Sequence, residues 1–520
     1  MMLLAAACSK GNETPPGNDD PWNGRNVYDG NEVSHEMIEL GERLENPYGI
    51  ENVRSAYQAV YPTKAREDVS PNCVYVRFLP GDEDEFGLLE SLGVEMLDHP
   101  MDYRIKKEGD YYHDPSVADS DITWQYAVVP VDFAFPPSVK YEVIQECYVT
   151  GTETDTKAAD IDWTAVEKEA YRISGNSGVY EELTKASGAS PSGRITIIDD
   201  RHDDGKPVGV AGVKVSCNVF VKFSSTYTDR DGYYKIPKQF SSKVRYRLVF
   251  ENEKDFCIGF NLILVPASVS ALGQASPEGL DVTVTKDSET KLFKRCVVNN
   301  AAYDYISRCC EEDMNILPPP SNLRLWLFHS LEASSAVMMH HGTVVQHRDI
   351  VKYLGSYAAL VQFFAPDITI GTSGRDDYAG LYDATCHELS HASHFAKVGK
   401  DYWNDYIRYI VTSYLWSGGK TYGDGTGDYA GYCEVGEMWA YYMESIMHKE
   451  RYGGQIPGYG NSNWFFPQIF RYMGERGISR SEIFAALGED TIGRDTLEAA
   501  LCELYPEKAA IVAQAFARYR

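Results

Sequence analysis

The stretch LYDATCHELSHASHFA, residues 381–396, decides how the C-terminal part of this 520-residue chain folds. His387 and His391 differ by about 40° around a helix, whereas Leu389 lies about 200° from His387. The helical spacing collects small and apolar residues in one stripe, formed by Leu381, Thr385, Leu389, Ala392 and Ala396. We therefore predict an amphipathic helix whose two histidines face away from this stripe, toward a cleft.

Residues 387–391, HELSH, have the pattern of a zinc site with a catalytic carboxylate. Two imidazoles one helical turn apart can point at one Zn²⁺, and a third protein ligand leaves the fourth position open for water. Because zinc lowers the pKa of that water, Glu388 can accept its proton as the water attacks a peptide carbonyl. We predict His387 and His391 as zinc ligands and Glu388 as the general base; the alternative is a surface helix with incidental histidines.

The third ligand is expected on a second helix, within residues 431–444, GYCEVGEMWAYYME. The run EMWA, residues 437–440, resembles the motif of the gluzincin clan of zinc metallopeptidases, in which a Glu C-terminal to HExxH completes the site. Glu437 lies 46 residues after His391 (437 − 391) and is the predicted third ligand. Glu434, one turn earlier on the same helix, is the competing candidate.

The resemblance covers residues 291–520 and implies a mostly α-helical zincin domain of α+β class. It also implies a zinc-dependent peptidase acting on protein or peptide substrates. An endopeptidase is favoured, since the sequence has no visible motif for gripping a free chain terminus. Gluzincins tend to supply a Tyr or His donor to the oxyanion, and three tyrosines near the ligand helix stay open for this role: Tyr422, Tyr429 and Tyr432. The alternative function is a catalytically inactive, zincin-like binding lipoprotein of the cell surface.

Other residues near the motif have expected roles outside the ligand set. Metzincins, another zincin branch, would place a ligand at Lys397 and a Gly at His394, so that branch is excluded. His394 is expected to support the site from outside or to be a partly exposed, hydrogen-bonded side chain. Cys386 and Cys433 each lie next to or near a predicted ligand, and a disulfide between them would pin the two helices together. The glycine-rich segment 417–431 between the helices is either a flap over the cleft or a plain connector.

Residues 192–262 have the alternating pattern of an antiparallel β-sandwich. The run TDRDGYYKIP, residues 228–237, places an Asp-Gly turn between strands. This run resembles the carboxypeptidase regulatory-like, transthyretin-like domain, which implies a spacer or stabilising module without chemistry of its own. A calcium site at Asp229 and Asp231 is the alternative to a simple turn.

The rest of the chain divides by composition. Residues 34–150 read as a small α+β domain, with a strand at 74–78, a helix at 85–92 and strands at 94–97 and 124–131. We assign residues 151–191 to a connector containing one helix, and residues 263–290 to a linker. The fold class is thus multidomain: a small α+β domain, a β-sandwich and a helical zincin domain. The first domain is also a candidate inhibitory prodomain.

The N-terminus, MMLLAAAC, resembles the end of a secretory signal with a lipobox before Cys8. The polar, Pro- and Gly-rich residues that follow suit a flexible tether, so residues 1–33 are assigned to a signal remnant and tether. Lipidation of Cys8 would anchor the protein in the cell envelope, at the outer membrane or cell surface of a Gram-negative bacterium, and the alternative is a cytoplasmic protein with a chance cysteine.

The overall composition narrows the classes of partner. The chain has 49 Lys and Arg against 76 Asp and Glu, a formal charge of −27, which argues against a nucleic-acid partner. It has no run of 18 apolar residues that would span a bilayer. Its cysteines lack paired Cys-x-x-Cys spacing, so a cysteine zinc site is not expected.

Overall fold

The structure is a computed structural model that describes residues 26–28, 37–64, 69–109, 111–118, 121–150, 161–180, 188–259, 267–288, 290–328, 332–343, 365–416, 422–454 and 463–519. Over these residues the protein is multidomain, with an N-terminal α+β part, a β-sandwich-like region and a C-terminal helical region. Cys8 and the predicted signal lie outside the described residues. None of the described helices has the length and apolarity needed to cross a bilayer.

The N-terminal part surrounds a three-stranded antiparallel sheet. Its elements are β1 (Asn26–Tyr28), β2 (Glu39–Arg43), α1 (Ile50–Val60), β3 (Cys73–Leu79), α2 (Glu83–Ser91), β4 (Tyr103–Lys107), β5 (Gln125–Pro130), β6 (Lys140–Cys147), α3 (Trp163–Ile173) and α4 (Ser177–Tyr180). β3 is central and pairs with β5 and β6, β2 pairs with β4, and β1 joins a sheet of the next region. The helix α2 begins at a side-chain cap, because Asp82 accepts a hydrogen bond from the Glu85 N–H.

Two predictions for this part need correction. The strand predicted at 94–97 does not form, and only Leu97 makes an isolated bridge, to Tyr126. The helix α3, assigned to a connector, instead packs its buried Val166 and Ala170 with residues of α1. The sequence does not predict this contact, because α3 would be amphipathic both in a connector and in a packed domain. Only tertiary packing decides which part of the protein covers its apolar face.

The middle region contains two sheets. Its elements are β7 (Ser192–Ile198), β8 (Pro207–Gly209), β9 (Val213–Val219), β10 (Lys222–Tyr227), β11 (Tyr233–Lys235), β12 (Val244–Asn252), β13 (Phe256–Gly259), β14 (Val269–Ala275) and β15 (Leu280–Val284). One sheet has the order β1-β15-β7-β11, with β8 on β7. The other begins β10-β9-β12-β13, with β14 also on β12. The buried faces of both contribute to the main apolar core.

The structure revises the predicted antiparallel sandwich of residues 192–262 in two ways. The segment 263–290, predicted as a linker, supplies β14 and β15, and β15 lies parallel to β7. The turn at 228–232 joins β10 to β11, which belong to different sheets, so it is a crossover between layers. Gly232 is required there, since its φ is +84° and a Cβ would meet the Ile195 carbonyl oxygen at 2.0 Å.

The C-terminal region continues the larger sheet and adds helices. Its elements are α5 (Thr290–Cys309), β16 (Leu323–Phe328), β17 (Ser335–Ala336), β18 (Ile368–Gly371), α6 (Tyr378–Trp416), α7 (Ala430–Tyr452), α8 (Gln468–Gly474), α9 (Arg480–Ala486), α10 (Arg494–Leu504) and α11 (Ala509–Ala517). β13, β16 and β18 run parallel, and β17 closes the edge antiparallel to β18. The sheet therefore passes without interruption from the sandwich-like region into the helical one, where α6 packs against α5, α7, β17 and β18.

The helix that carries HELSH is buried on both its apolar and its polar side. The predicted stripe is buried at Leu381, Leu389 and Ala392, but Ala396 is exposed. The opposite side is buried as well, with His387 only 7 % and His391 only 2 % exposed. The histidines face α7, which lines and covers the predicted cleft, so the side that sequence periodicity marks as polar is buried as well.

Candidate metal centre

Two helices that pack closely against each other provide the site. α6 is bent at Gly399, where φ is +76° and ψ is 179°, so its two halves point in different directions. α7 approaches α6 at Gly436, where an added Cβ would lie 3.2 Å from the Tyr406 ring and 3.9 Å from His391 Nδ1. A larger residue at position 436 would therefore push the helices apart at the level of the histidines.

Three buried side chains meet between these helices. His387 Nε2 lies 3.4 Å from Glu437 Oε2, and His391 Nε2 lies 3.4 Å from Glu437 Oε1. One ligand atom from each of the three residues lies within 4.8 Å of the others. In the part of the chain that the structure describes, no other group of three His, Cys, Asp or Glu side chains is arranged in this way. His387, His391 and Glu437 could therefore hold a metal ion.

The donor set and its spacing fit a metal ion. Ligands about 2.0–2.1 Å from a tetrahedral zinc are about 3.3 Å from each other, close to the separations between Glu437 and the two imidazoles. Glu437 is 1 % exposed, and its Oε2 has no hydrogen-bond partner within the described residues. A buried carboxylate oxygen without a donor is costly, and a bound cation would satisfy it.

Further contacts orient the three side chains. Glu444, two turns after Glu437 on α7, lies with its Oε2 3.0 Å from His387 Nδ1. An Nδ1–H donated to this carboxylate leaves Nε2, which faces Glu437, free to bind a metal. Tyr406 donates its hydroxyl to Glu437 Oε1 at 2.6 Å, and its ring packs on His391 with centroids 5.5 Å apart.

The carboxylates of the cluster favour the protonated form of His387. Burial lowers the pKa of His387, but the carboxylates of Glu437 and Glu444 outweigh burial and hold that pKa well above its usual value. A bound metal ion would displace this proton and leave a neutral imidazole. Burial raises the pKa of Glu437, but the two histidines more than offset this and keep the pKa of that carboxyl below its usual range. Burial also raises the pKa of Glu388, with His387 and His391 acting in the opposite direction. The basic character that burial gives Glu388 suits a group that accepts a proton.

The structure separates Glu437 from its competitor. Glu434 is bound by Arg494, whose Nε donates to Glu434 Oε1 at 2.8 Å, and it does not join the histidine cluster. Lys397 also points away, donating its Nζ to the Ala485 carbonyl oxygen at 2.7 Å.

His394 differs from its prediction. It is fully buried, and neither ring nitrogen has a hydrogen-bond partner among the described residues. Tyr402 and Trp403, which follow the bend at Gly399, cover its ring with centroids 5.3 Å and 5.7 Å away. Of the two predicted alternatives, the partly exposed and hydrogen-bonded side chain was wrong, because the second half of α6 folds back over this position; support of the site from outside stays a prediction.

One of the three candidate tyrosines is linked to the site through packed rings. Tyr422 packs on Phe465 and Phe465 on Tyr441, with ring centroids 5.3 Å and 5.6 Å apart. Burial, together with the charge of Glu437, raises the pKa of Tyr422 well above its usual value. The Tyr441 ring is 4.5 Å from that of His387. By contrast, Tyr429 accepts a hydrogen bond from Arg408, and Tyr432 packs on Tyr402.

Two further hypotheses find no support in the structure. Cys386 and Cys433 are buried free thiols that are not bonded to each other. The Asp229 carboxylate stabilises the turn itself, because it accepts hydrogen bonds from the N–H groups of Asp231 and Tyr233 at 2.9 Å.

The choice between a flap and a plain connector for segment 417–431 stays a prediction. The structure describes this segment only from residue 422, and residues 417–421 lie outside the described residues.

Sequence reasoning missed the residues that support the ligands. Glu444 was within reach, because a residue seven positions after Glu437 returns to the same helix face. Tyr406 could not be predicted from helical spacing, since the bend at Gly399 brings it to the site.

A separate cavity of ≈ 950 Å³ lies between the N-terminal part and the larger sheet, where Arg247 and Arg324 are among its lining residues. It contains none of the metal-cluster residues.

A comparison of the chain with protein-family models, with curated proteins and with solved structures found no match.

Proposed function

We propose that this protein is a zinc-dependent peptidase, most simply an endopeptidase, whose C-terminal region is a zincin domain of gluzincin type. The observation that carries the proposal is the buried convergence of His387, His391 and Glu437, with Glu388 directly beside the first histidine. Two neutral imidazoles and one carboxylate are a donor set that suits zinc and leaves a fourth position for water or substrate.

Each residue has a defined task in this proposal. His387, His391 and Glu437 would hold the metal, and Glu444 would fix the tautomer of His387. Zinc at such a site makes a neighbouring water more acidic and polarises a substrate carbonyl. Glu388 would take the proton from the attacking water and pass it to the leaving amine.

Tyr422 is our candidate for the donor to the developing oxyanion. Burial and the charges of Glu437 and Glu388 raise the pKa of its phenol, and its ring connects through Phe465 to Tyr441, which packs on His387. Neither Tyr429 nor Tyr432 has such contacts with the cluster. Tyr422→Phe should therefore lower kcat by about 10²-fold with little change in KM, as expected for a donor used in the transition state. A Tyr429→Phe variant is the matched control.

We also propose that the protein is a lipoprotein of the bacterial cell envelope, anchored through Cys8, which would give a peptidase access to extracellular or envelope proteins. The support is the order of apolar residues, cysteine and polar tether in the sequence. In a Gram-negative host, Cys8→Ser should move the protein from the membrane fraction to the soluble fraction and abolish labelling with a fatty-acid analogue. Unchanged labelling of Cys8→Ser would disprove this anchor.

The decisive experiment compares the wild type with Glu388→Gln and with Glu434→Gln. Metal content is measured by mass spectrometry, and cleavage by profiling an unbiased peptide library. We expect about one zinc per chain in all three proteins, and a loss of cleavage of at least about 10³-fold in Glu388→Gln alone. Zinc binding without any cleavage that depends on Glu388 would instead indicate a zincin-like binding protein. Absence of a bound metal would reject the proposal.

A further inference from the structure

Cys73 and Cys147 lie directly opposite each other in the N-terminal sheet. Cys73 is the first residue of β3 and Cys147 the last of β6, and the two are register partners in an antiparallel pair. Side chains of directly opposite residues project from the same face of a sheet. Both are buried in the same apolar core, Cys73 at 8 % and Cys147 at 0 % exposure.

The backbone places this pair within disulfide range. Opposite residues in antiparallel strands have Cα atoms about 4.5–5.5 Å apart, and disulfides span Cα separations of about 4.4–6.8 Å. Cys73 Sγ lies 3.7 Å from the Cys147 carbonyl oxygen, and the two thiols interact electrostatically. Both residues are free thiols in the structure, and Cys147 Sγ contacts Asn46 Nδ2 at 3.5 Å, so a bond requires the two side chains to turn toward each other across a backbone separation that permits it.

The other strand cysteines lack this arrangement. Cys217 on β9 faces Ser224 on one side and Tyr246 on the other. Cys257 on β13 faces Glu251 and Arg324. Among the described residues, no second pair of cysteines occupies opposite positions in a strand register. Among the four cysteines that lie in strands, this leaves one pair at opposite positions.

We propose that Cys73 and Cys147 form a disulfide site that links β3 to β6 when the chain folds in the presence of a disulfide oxidant such as oxidised glutathione. The thiolate of one cysteine attacks the oxidant and releases one glutathione thiolate, which leaves a mixed disulfide. The second cysteine then attacks that mixed disulfide and releases the second glutathione. In balance, the two protein thiols lose two protons and two electrons, and one oxidised glutathione becomes two reduced molecules.

The timing of the reaction follows from burial. Burial raises the pKa of the Cys73 thiol to about 11, so the folded sheet holds a thiol that is neither exposed nor ionised. Oxidation is therefore expected during folding, before the sheet closes, and the finished bond is expected to resist reduction. It would close a loop of 74 residues (147 − 73) that contains α2, β4 and β5, and cross-links over long loops restrict the unfolded chain most.

The test uses the full chain, synthesised in a cell-free system with a glutathione redox buffer in one arm and dithiothreitol in the other. Free thiols are alkylated under denaturing conditions, and the digest is mapped by mass spectrometry. We expect a linked peptide pair containing Cys73 and Cys147 in the glutathione arm only. We also expect the thermal midpoint there to be higher by about 5 °C or more. Cys73 and Cys147 both alkylated in the glutathione arm, or bonded to other cysteines, would overturn the proposal.

Two cysteine variants test whether the bond and the added stability depend on Cys73. Cys73→Ser should abolish the linked peptide and the difference in midpoint between the arms, whereas Cys217→Ser, a buried strand cysteine with no opposite cysteine, should keep both. A difference in midpoint that persists in Cys73→Ser would count against the proposal. The peptide map of the wild type stands by itself should either variant fail to fold.

Discussion

Two buried clusters of charged groups differ in how completely their polar atoms are paired. Where α3 meets β10, Glu167 accepts hydrogen bonds from Tyr48, Lys222 and Ser241, and Lys222 also donates to Thr150. Where α6 meets α7, Glu437 receives one neutral hydrogen bond, from Tyr406, and faces two imidazoles. Its Oε2 and His391 Nδ1 find no hydrogen-bond partner in the part of the chain that the structure describes.

The difference indicates what each cluster is for. A carboxylate surrounded by a lysine and hydroxyl groups is complete without any further group, so the Glu167 cluster joins two parts of the fold. At the other cluster, Glu437 and the two imidazoles face one another across 3.4 Å, and a bound cation would satisfy the buried Glu437 oxygen that has no hydrogen-bond donor among the described residues. Pairing, rather than burial or charge, thus separates a structural cluster from a candidate metal site.

The largest effect is expected from Glu437→Gln. The amide keeps the size of the side chain but removes the negative charge that a divalent cation requires, so we expect zinc content to fall from about one per chain to near zero. Equilibrium dialysis followed by metal analysis measures this directly. Glu434→Gln is the matched control on the same helix and should retain zinc, because Arg494 engages that carboxylate outside the cluster. Retention of zinc by Glu437→Gln would refute the assignment.

The next largest effect is expected from Lys222→Met in the paired cluster. Removing the lysine leaves Glu167 buried without its counter-charge, which should lower the free energy of unfolding by about 3–5 kcal/mol. Denaturant titration followed by circular dichroism measures the loss, and zinc content should not change.

Two controls belong with that experiment. The double variant Lys222→Met with Glu167→Gln removes both charges and should recover a large part of the stability. Lys206→Met breaks a pair that is more than half exposed on both sides and should cost less than about 1 kcal/mol. A similar loss in both lysine variants would mean that the buried pair contributes no more than a surface pair.

A smaller effect is expected when Glu444, which orients His387, is changed to Gln. The amide can still accept a hydrogen bond, but it no longer stabilises the charge on the imidazole, so zinc affinity should fall by about 10–100-fold. Competition with a fluorescent chelator measures the affinity. Glu450→Gln, on the same helix but paired with Arg308 and Arg480, is the control and should leave it unchanged. An unaltered affinity in Glu444→Gln would show that this contact does not tune the metal.

Much of the site was within reach of the sequence, because its parts are local. His387, Glu388 and His391 lie within five residues of one helix, and the candidate ligand Glu437 was predicted from a motif on a second helix. Several element positions were also predictable: β3 was expected at 74–78 and α2 at 85–92, close to where they occur. Local hydrophobic period and start or stop residues determine such elements.

What escaped prediction depends on contacts between distant residues. β14, VSALGQA, contains small residues with weak strand preference, and it becomes a strand because it pairs with β12. The choice between Glu434 and Glu437 required the position of Arg494, sixty residues further along the chain. The surroundings of His394 depended on a bend five residues after it, which helical periodicity does not report.

The smallest effect is expected from substitution of His394. This residue is buried, its ring nitrogens have no hydrogen-bond partner among the described residues, and it is not part of the metal cluster. Burial, helped by the nearby His391 and Lys397, lowers its pKa to about 3, against about 6.5 in the unfolded chain. The folded state therefore stays neutral while the unfolded state gains a proton as pH falls, so stability is present above pH 6.5 and is lost progressively toward pH 3. Between pH 6.5 and 5.5 this loss should be about 1 kcal/mol.

His394→Phe should remove that part of the pH dependence, because phenylalanine fills the aromatic space beside Tyr402 and Trp403 without a titrating group. Denaturant titrations of both proteins at pH 7.5, 6.5 and 5.5 measure the difference. His113→Phe provides a histidine control in the N-terminal part, where the ring is only half-buried and lies 3.2 Å from the Asp121 carbonyl oxygen. If the wild type and His394→Phe lost stability in parallel on acidification, His394 would have to gain a proton in the fold, and its ring nitrogens would need partners such as ordered water.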